Sequence, residues 1–453
     1  MKRTSPISSS PGARLLKLGS LAGGIAAGMA AEGLRQMASG SLPRPRELLL
    51  TPKNAARLAE RLSDLRGAAM KVGQLLSMEA GDLLPPELSA VLARLREDAH
   101  RMPLGQVAAV LNRAWGKQWP ERFSRFDFQP LAAASIGQVH EATTRDAARL
   151  AVKIQYPGIR DSIDSDVDNV ARLLSMARVL PEQCDIATLL SEAKQQLHEE
   201  ADYLREAEHL EAYRRRLGDQ ARFTLPEVVH PWTTAEVLCM TYVPGAPLDA
   251  LANAPRATRN QVAGQLLQLA LQELFDWGLV QTDPNFANYR YDANSDTIGL
   301  LDFGAVRCYP KRQTDILRSL LTAAVLQDTD CLFEAAAQAG YTDHDDPPEY
   351  RQGVAELLMT ATEPARHIGA YDFSDTDLAR RMSDRVMAMR FGSNQWRLPS
   401  TDLLFLHRKL GGLFMLFCRL GARVPVHEAV QPYLVDLSGA SRSLVCESQT
   451  STA

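Results

Sequence analysis

Two loops carrying three polar side chains constrain this sequence more than anything else in it. Asp283 and Asn288 stand five residues apart in QTDPNFANYRY, and Asp302 follows fourteen residues further on in LLDFGAVR. Transfer of a phosphoryl group from a nucleotide needs one carboxylate to orient the attacking oxygen. It also needs an amide oxygen and a second carboxylate to hold Mg²⁺ against the phosphates. The order and spacing here supply all three, making Asp283 the candidate catalytic residue and Asn288 and Asp302 the candidate metal ligands. Asp-Phe-Gly alone arises often by chance. Downstream of Asp-x-x-x-x-Asn, on a loop between apolar runs, it does not read as surface acids.

Such a site also needs a cation for the phosphates. The segment DFQPLAAASIGQVHEATTRDAARLAVKIQY reads as strand, small-residue turn, strand, turn, strand, and places Lys153 on the third strand. A lysine flanked by buried β-branched residues must snorkel or be paired. Its candidate partner is Glu206, on one long helical pattern running from Ile186 to about Arg216. Between the first two strands stands Ala132-Ala133-Ala134-Ser135-Ile136-Gly137, where a glycine-rich phosphate loop would have three glycines. Only Gly137 readily takes positive φ, so this loop cannot fold freely over phosphates and restricts how a nucleotide sits. Val139 on the second strand belongs to the same nucleotide-binding set.

Two further features stand outside this set. Lys71-Val72-Gly73-Gln74 lies in a helical pattern, with Lys71 and Gln74 three apart on one face, although glycine there costs about 1 kcal/mol relative to alanine. Glu200-Ala201-Asp202 begins an acidic face, and Asp202 and Glu206 are spaced to repel. Something cationic should sit between them, and Lys71 and Lys153 are the obvious counter-ions.

At 453 residues the chain is long enough for about two to three domains. With 45% hydrophobic and 23% charged residues it is not disordered, collagenous or a disulfide scaffold. A formal charge of −4 argues against a nucleic-acid binder working by bulk charge. The six cysteines are scattered without a C-x-x-C pair, which reads as reduced, buried thiols and no zinc site. Residues 1–48 form a basic Gly/Ala-rich leader: Lys2, Arg3, Arg14 and Lys17 without an acid before Glu32, then an uncharged stretch, Leu21–Ala31. It reads as a flexible leader, a segment resting on an anionic membrane, or a cleaved import signal, and it is too short to span. Residues 49–125 form a helical extension, 126–245 a strand-rich lobe, 246–437 a mostly helical lobe, and 438–453 a disordered tail. The apolar stretch Leu403–Leu420 carries His407, Arg408, Lys409 and Arg419 and reads as a core helix.

Together, Lys71-x-Gly73-Gln74, AAASIGQVHEA, VKIQYPG, E-x-D-Y with Glu206 downstream, QTDPNFAN and LLDFGA resemble the UbiB/ADCK family of atypical kinase-like proteins. The resemblance covers about residues 50 to 440. It implies an α+β, bilobal protein-kinase-like fold with an added helical N-terminal extension. That extension packs over the site where a peptide substrate would bind, with Lys71 pairing Glu200 or Asp202. It implies ATP and Mg²⁺ as cofactors, bound between the lobes, with Glu206 holding Lys153, a hinge at Met240, Tyr242 and Val243 contacting adenine through its backbone, and the remaining residues in the roles given above. Gln281-Thr282 replaces the usual His-Arg before the catalytic aspartate, and no long activation segment follows Gly304, so this is not an ordinary protein kinase.

The function implied is an ATPase or atypical kinase supporting ubiquinone biosynthesis at a membrane. Its partners would be a nucleotide, a membrane surface, and quinone-pathway lipids or enzymes. It would be peripheral on the cytoplasmic face in a bacterium, or mitochondrial in a eukaryote. Two alternatives stay open: a nucleotide-gated lipid or quinone-precursor chaperone without turnover, and a small-molecule or lipid kinase.

Overall fold

The computed structural model describes residues 67–69, 71–73, 102–176, 186–218, 220–343, 345–392 and 399–436. The leader, the C-terminal tail, most of the helical extension and Gln74 lie outside the described residues. The described chain divides into two compact units. One comprises the residues up to Arg215 with Pro226–Tyr242 and Asp302–Ala305; the other comprises Arg216–Leu225, Val243–Leu301 and the residues from Val306 onward.

The first unit is built on an antiparallel sheet of order β1-β2-β3-β5: β1 Phe123–Ala133, β2 Gly137–Thr144, β3 Arg149–Gln155 and β5 Val237–Thr241. Helix α1, Leu104–Trp115, lays Val107, Val110, Leu111 and Trp115 against Leu150, Val152, Ile154 and Cys239 of the sheet. Burying each such aliphatic side chain stabilises by about 1.5–3 kcal/mol. Trp115, Trp119, Phe123, Phe126 and Trp232 close that face with ring centroids 5.0–6.2 Å apart. Helix α2 spans Ile159–Met176.

The single long helix expected from Ile186 is two: α3 Ile186–Glu200 and α4 Tyr203–Leu217. Asp202 makes the break. Its Oδ1 accepts the Arg205 N–H at 3.3 Å, satisfying a donor that the first turn of a helix leaves unpaired. The apolar stripe runs on through the break because Leu197 and Ala201 of one side and Ala207 and Leu210 of the other are all buried. Near Val228 the chain makes only a bridge to Met240; Pro226 just before it has no N–H for a ladder. The thiols are less buried than expected: Cys239 is in the core, Cys331 and Cys418 are half-buried, Cys308 is exposed, and Cys184 and Cys446 lie outside the described residues.

In the second unit, a four-stranded sheet of order β4-β9-β8-β6 joins β4 Phe223–Thr224, β6 Ala246–Pro247, β8 Tyr289–Asp292 and β9 Thr297–Leu300. A second ribbon pairs β7 Leu279–Gln281 with β10 Val306–Cys308. Helix α5, Arg256–Leu271, runs into a π-helical turn, Gln272–Trp277. Gly278 ends it at φ 56, where a Cβ would lie 2.5 Å from the Tyr309 carbonyl oxygen. Helices α6 Lys311–Leu326, α7 Thr329–Gln338, α8 Pro348–Ala361 and α9 Leu378–Gly392 follow. Helix α10, Thr401–Leu420, is the expected core helix: Leu403, Phe405, Leu406, Leu413, Leu416, Phe417 and Leu420 are buried. No helix among the described residues is long and apolar enough to cross a membrane.

Candidate active site

In the first unit, Lys153 projects from β3, paired in register with Val139 of β2 and Leu238 of β5. Its ammonium donates to both Glu206 oxygens, at 2.7 and 2.8 Å, and to Asp302 Oδ2 at 3.3 Å. The Lys153 and Glu206 side chains are 8% and 2% exposed, whereas Asp302 is 34% exposed and so the open end of the triad. Burial works against the charged form of Lys153, but the Asp302 and Glu206 carboxylates outweigh it and lift its pKa well above the usual lysine value. Burial also pushes Glu206 up to about 7, against the pull of Lys153. Asp302 is held below the usual carboxylate value: desolvation opposes this, but Lys153, the Gly304 N–H at 2.9 Å and Lys71 prevail. One ammonium thus faces two carboxylates, and the more exposed of them is the firmly anionic one.

Lys71, buried at 3%, pairs with Glu200 at the end of α3. Of the two partners the resemblance allowed it, Glu200 is the one it contacts, while Asp202 caps α4. The helical residues 67–69 and 71–73 lie against the Ala-rich turn: a Cβ on Gly67 would sit 3.0 Å from Ile136 Cγ2 and 3.2 Å from the Ser135 carbonyl oxygen.

That turn is partly strand. Ala132 and Ala133 end β1 and are exposed; Ser135 and Ile136 make the bend, closed by Ala134 N–H to the Gly137 carbonyl at 2.9 Å. Gly137 does not have positive φ, as the freedom argued from its sequence would suggest; its requirement is space. A Cβ there would meet the Ile154 carbonyl oxygen at 2.3 Å and the Tyr203 hydroxyl at 2.7 Å. Tyr203, fully buried at the start of α4 with the Lys153 ammonium 5.3 Å from its ring centre, had no role assigned from sequence. Met240 is buried in β5. Tyr242 gives its N–H to the Arg149 carbonyl and its ring to the Arg149 guanidinium, 3.9 Å above it. Its backbone donor is therefore occupied. Val243 opens the second unit's share of this segment and is buried.

In the second unit, the QTDPNFAN loop leaves β7 and returns into β8. Asp283 Oδ1 accepts from Arg408 of α10 at 2.6 Å, and Oδ2 from the Asn288 amide at 3.1 Å. That bond directs Asn288 Nδ2 at Asp283, so its oxygen, the atom able to ligate a cation, faces elsewhere. The Gln281 amide donates to the Asp283 carbonyl at 2.8 Å. Asn285 Oδ1 accepts the Ala287 N–H at 3.1 Å and closes the turn. Arg408 had no role at the site assigned from sequence; its signal was a run of basic residues, His407-Arg408-Lys409, inside an otherwise apolar helix.

A buried lysine between two carboxylates beside an alanine-rich turn in the first unit, and an Asp–Asn pair on a braced loop in the second, are the side-chain sets of an atypical kinase-like protein. Residues 94–336 match the ABC1 atypical kinase-like domain, and the chain belongs to that family, as its UbiB/ADCK motifs implied. It is 35% identical to the mitochondrial atypical kinase COQ8 of Saccharomyces cerevisiae, over 93% of this chain and 84% of that protein. It is 36% identical to the mitochondrial atypical kinase COQ8B of Rattus norvegicus, over 93% of this chain and 80% of that protein. Among solved structures it is similar to the complex of Rv3197 with erythromycin from Mycobacterium tuberculosis, with TM-score 0.58 and 26% identity over 84% of this chain and 95% of that one. The fold is therefore the kinase-like one, and the activity class that of an ATP-dependent phosphotransferase or ATPase.

Proposed function

We propose that this chain hydrolyses Mg-ATP in support of ubiquinone biosynthesis, acting peripherally at a membrane surface. The observation that carries the reading is Lys153 held by Glu206 and turned toward Asp302. Its kinship with the COQ8 atypical kinases supplies the pathway. Those relatives are mitochondrial; the same peripheral attachment would hold at the cytoplasmic face of a bacterial membrane.

The donor set fits Mg²⁺. That ion is usually held by one or two carboxylates together with substrate phosphates and waters, not by an all-protein cage. Asp302 is anionic at neutral pH and one-third exposed, and Asn288 adds an amide oxygen. A magnesium ion held by Asp302 and Asn288 would supply positive charge to offset what develops on the phosphates. Lys153 would turn to the phosphates the donor it gives Asp302 at 3.3 Å, while its two shorter bonds to Glu206 fix the direction of its ammonium. The Ala132–Gly137 turn with Val139, and the backbone of Met240, Tyr242 and Val243, seat the nucleotide. Asp283, with one oxygen on Arg408, orients the attacking water. Lys71, Gln74, Glu200 and Asp202 govern access. The short path from Gly304 through β10 to α6 leaves little chain for a peptide-docking segment, which supports hydrolysis over protein phosphorylation.

The test is phosphate release by purified protein, with and without anionic liposomes and a quinone-precursor analogue. Asp302→Asn removes the anionic metal ligand and lowers Mg-dependent turnover by about 10²-fold or more. Full turnover in that variant refutes the reading. Tight nucleotide binding without phosphate release in the wild type supports the chaperone alternative instead.

A further inference from the structure

Helix α10 meets the QTDPNFAN loop through Arg408, Lys409, Gly412 and Arg419, whose guanidinium lies 5.6 Å from the Phe286 ring centre, and of these Arg408 touches the Asp283 carboxylate. Lys409, the next residue, is 2% exposed and lies 3.0 Å from Glu273 Oε2 on the π-helical turn. Its ammonium also reaches Gln281 Oε1 and the Tyr289 hydroxyl, each at 3.4 Å. Gln281 in turn donates its amide N–H to the Asp283 carbonyl at 2.8 Å. An ammonium can only donate, so it compels the Gln281 oxygen to face it and the NH₂ group to face Asp283. Gly412, one turn beyond Arg408, is the third point. A Cβ built on it would lie 2.1 Å from Pro284 Cβ and 2.3 Å from Pro284 Cγ, so the loop is seated directly on helix backbone. π-Helical insertions such as that carrying Glu273 recur at functional sites.

We propose that Lys409 and Gly412 are positioning residues for phosphoryl transfer: α10 is a template whose Lys409 orients Gln281 and whose bare backbone at Gly412 receives Pro284, together setting where the Asp283 carboxylate stands. The proposal rests on the phosphoryl-transfer reading of Asp283.

The experiment is Gly412→Ala in the full chain, alone and combined with Pro284→Gly. Alanine is the better helix former, so α10 itself is not weakened. Displacing the loop by about 1 Å costs about 10²-fold in kcat, while KM for ATP stays within about twofold because Gly412 touches no nucleotide. In the Pro284→Gly background, which lacks the colliding atoms, the same substitution costs less than about threefold. Gln281→Glu, which cannot donate to the Asp283 carbonyl, lowers kcat in the same manner. Additive effects of Gly412→Ala and Pro284→Gly, or a rise in KM that accounts for the whole loss, overturn the proposal. Hydrogen exchange at the Ala287 and Asn288 amides reads loop order without turnover. It accelerates in Gly412→Ala if the template is real, and an unchanged rate overturns it even if the wild type releases no phosphate. That last result would remove the reading of function separately.

Discussion

Replacing Lys153 by methionine keeps the length of the side chain and deletes the ammonium that faces Glu206 and Asp302. Two carboxylates then share a buried site, and the structure shows which one yields. Glu206, 2% exposed, already has its pKa pushed up to about 7 with the lysine pulling it down, whereas Asp302 is more open and held anionic. Without the lysine, Glu206 rises further and takes up a proton at neutral pH, so the variant folds. A glutamate raised above its unfolded value of 4.5 gives stability that is full below that value and lost as pH rises through the folded pKa. In the wild type this loss is complete just above pH 7. In Lys153→Met it continues upward, at about 1.4 kcal/mol per pH unit while one extra proton stays bound to the folded state. From pH 7 to 9 the variant should therefore lose about 2–3 kcal/mol relative to the wild type. Urea unfolding at several pH values measures the difference directly, and phosphate release should fall by about 10²-fold or more at every pH. Parallel stability profiles for the two proteins over that range would refute the assignment of Glu206 as the group that absorbs the charge.

Ala133→Gly should loosen the turn where β1 ends and shift the preference between ATP and ADP by about threefold or more, a change corresponding to roughly 0.7 kcal/mol. Equal affinity ratios for variant and wild type by calorimetry would dismiss it. His140 is fully buried on β2, stacked on Phe126, with Nδ1–H on the Asp127 carbonyl at 3.0 Å and no hydrogen-bond partner at Nε2. Desolvation lowers its pKa below 6.5, so it favours folding above that value, and the contribution is lost as pH falls through the folded pKa. Thermal melts of His140→Leu should lose less stability between pH 7 and 5 than the wild type does; the same loss in both would contradict a buried neutral imidazole.

The residues proposed for the phosphate site could be picked out because the chemistry proposed for them fixes their types and spacing: Asp283 to Asn288, then Asp302, with a lysine on a β-rich run. The core face of α10 was legible from its apolar repeat. The break at Ala201–Asp202 was not, because apolar spacing continues across it and only the capping aspartate marks it. Gly137 was read for its backbone freedom, while its actual constraint, the Ile154 carbonyl and the Tyr203 hydroxyl, comes from strands and helices distant in sequence. The template on α10 was hidden for a related reason. Lys409 and Glu273 are separated by 136 positions, and each alone is an unexplained charge in an apolar helix. Which charges meet is decided by packing, which periodicity does not encode.

The break before α4 has one more consequence. Because Asp202 ends one rod and starts another, the acid that grips Lys71 and the acid that grips Lys153 belong to separate levers. Unclasping the first need not unclasp the second. On the proposed roles, Lys71 would leave Glu200 while Lys153 stays aimed by Glu206, so admitting a guest would not dismantle the machinery proposed to act on it.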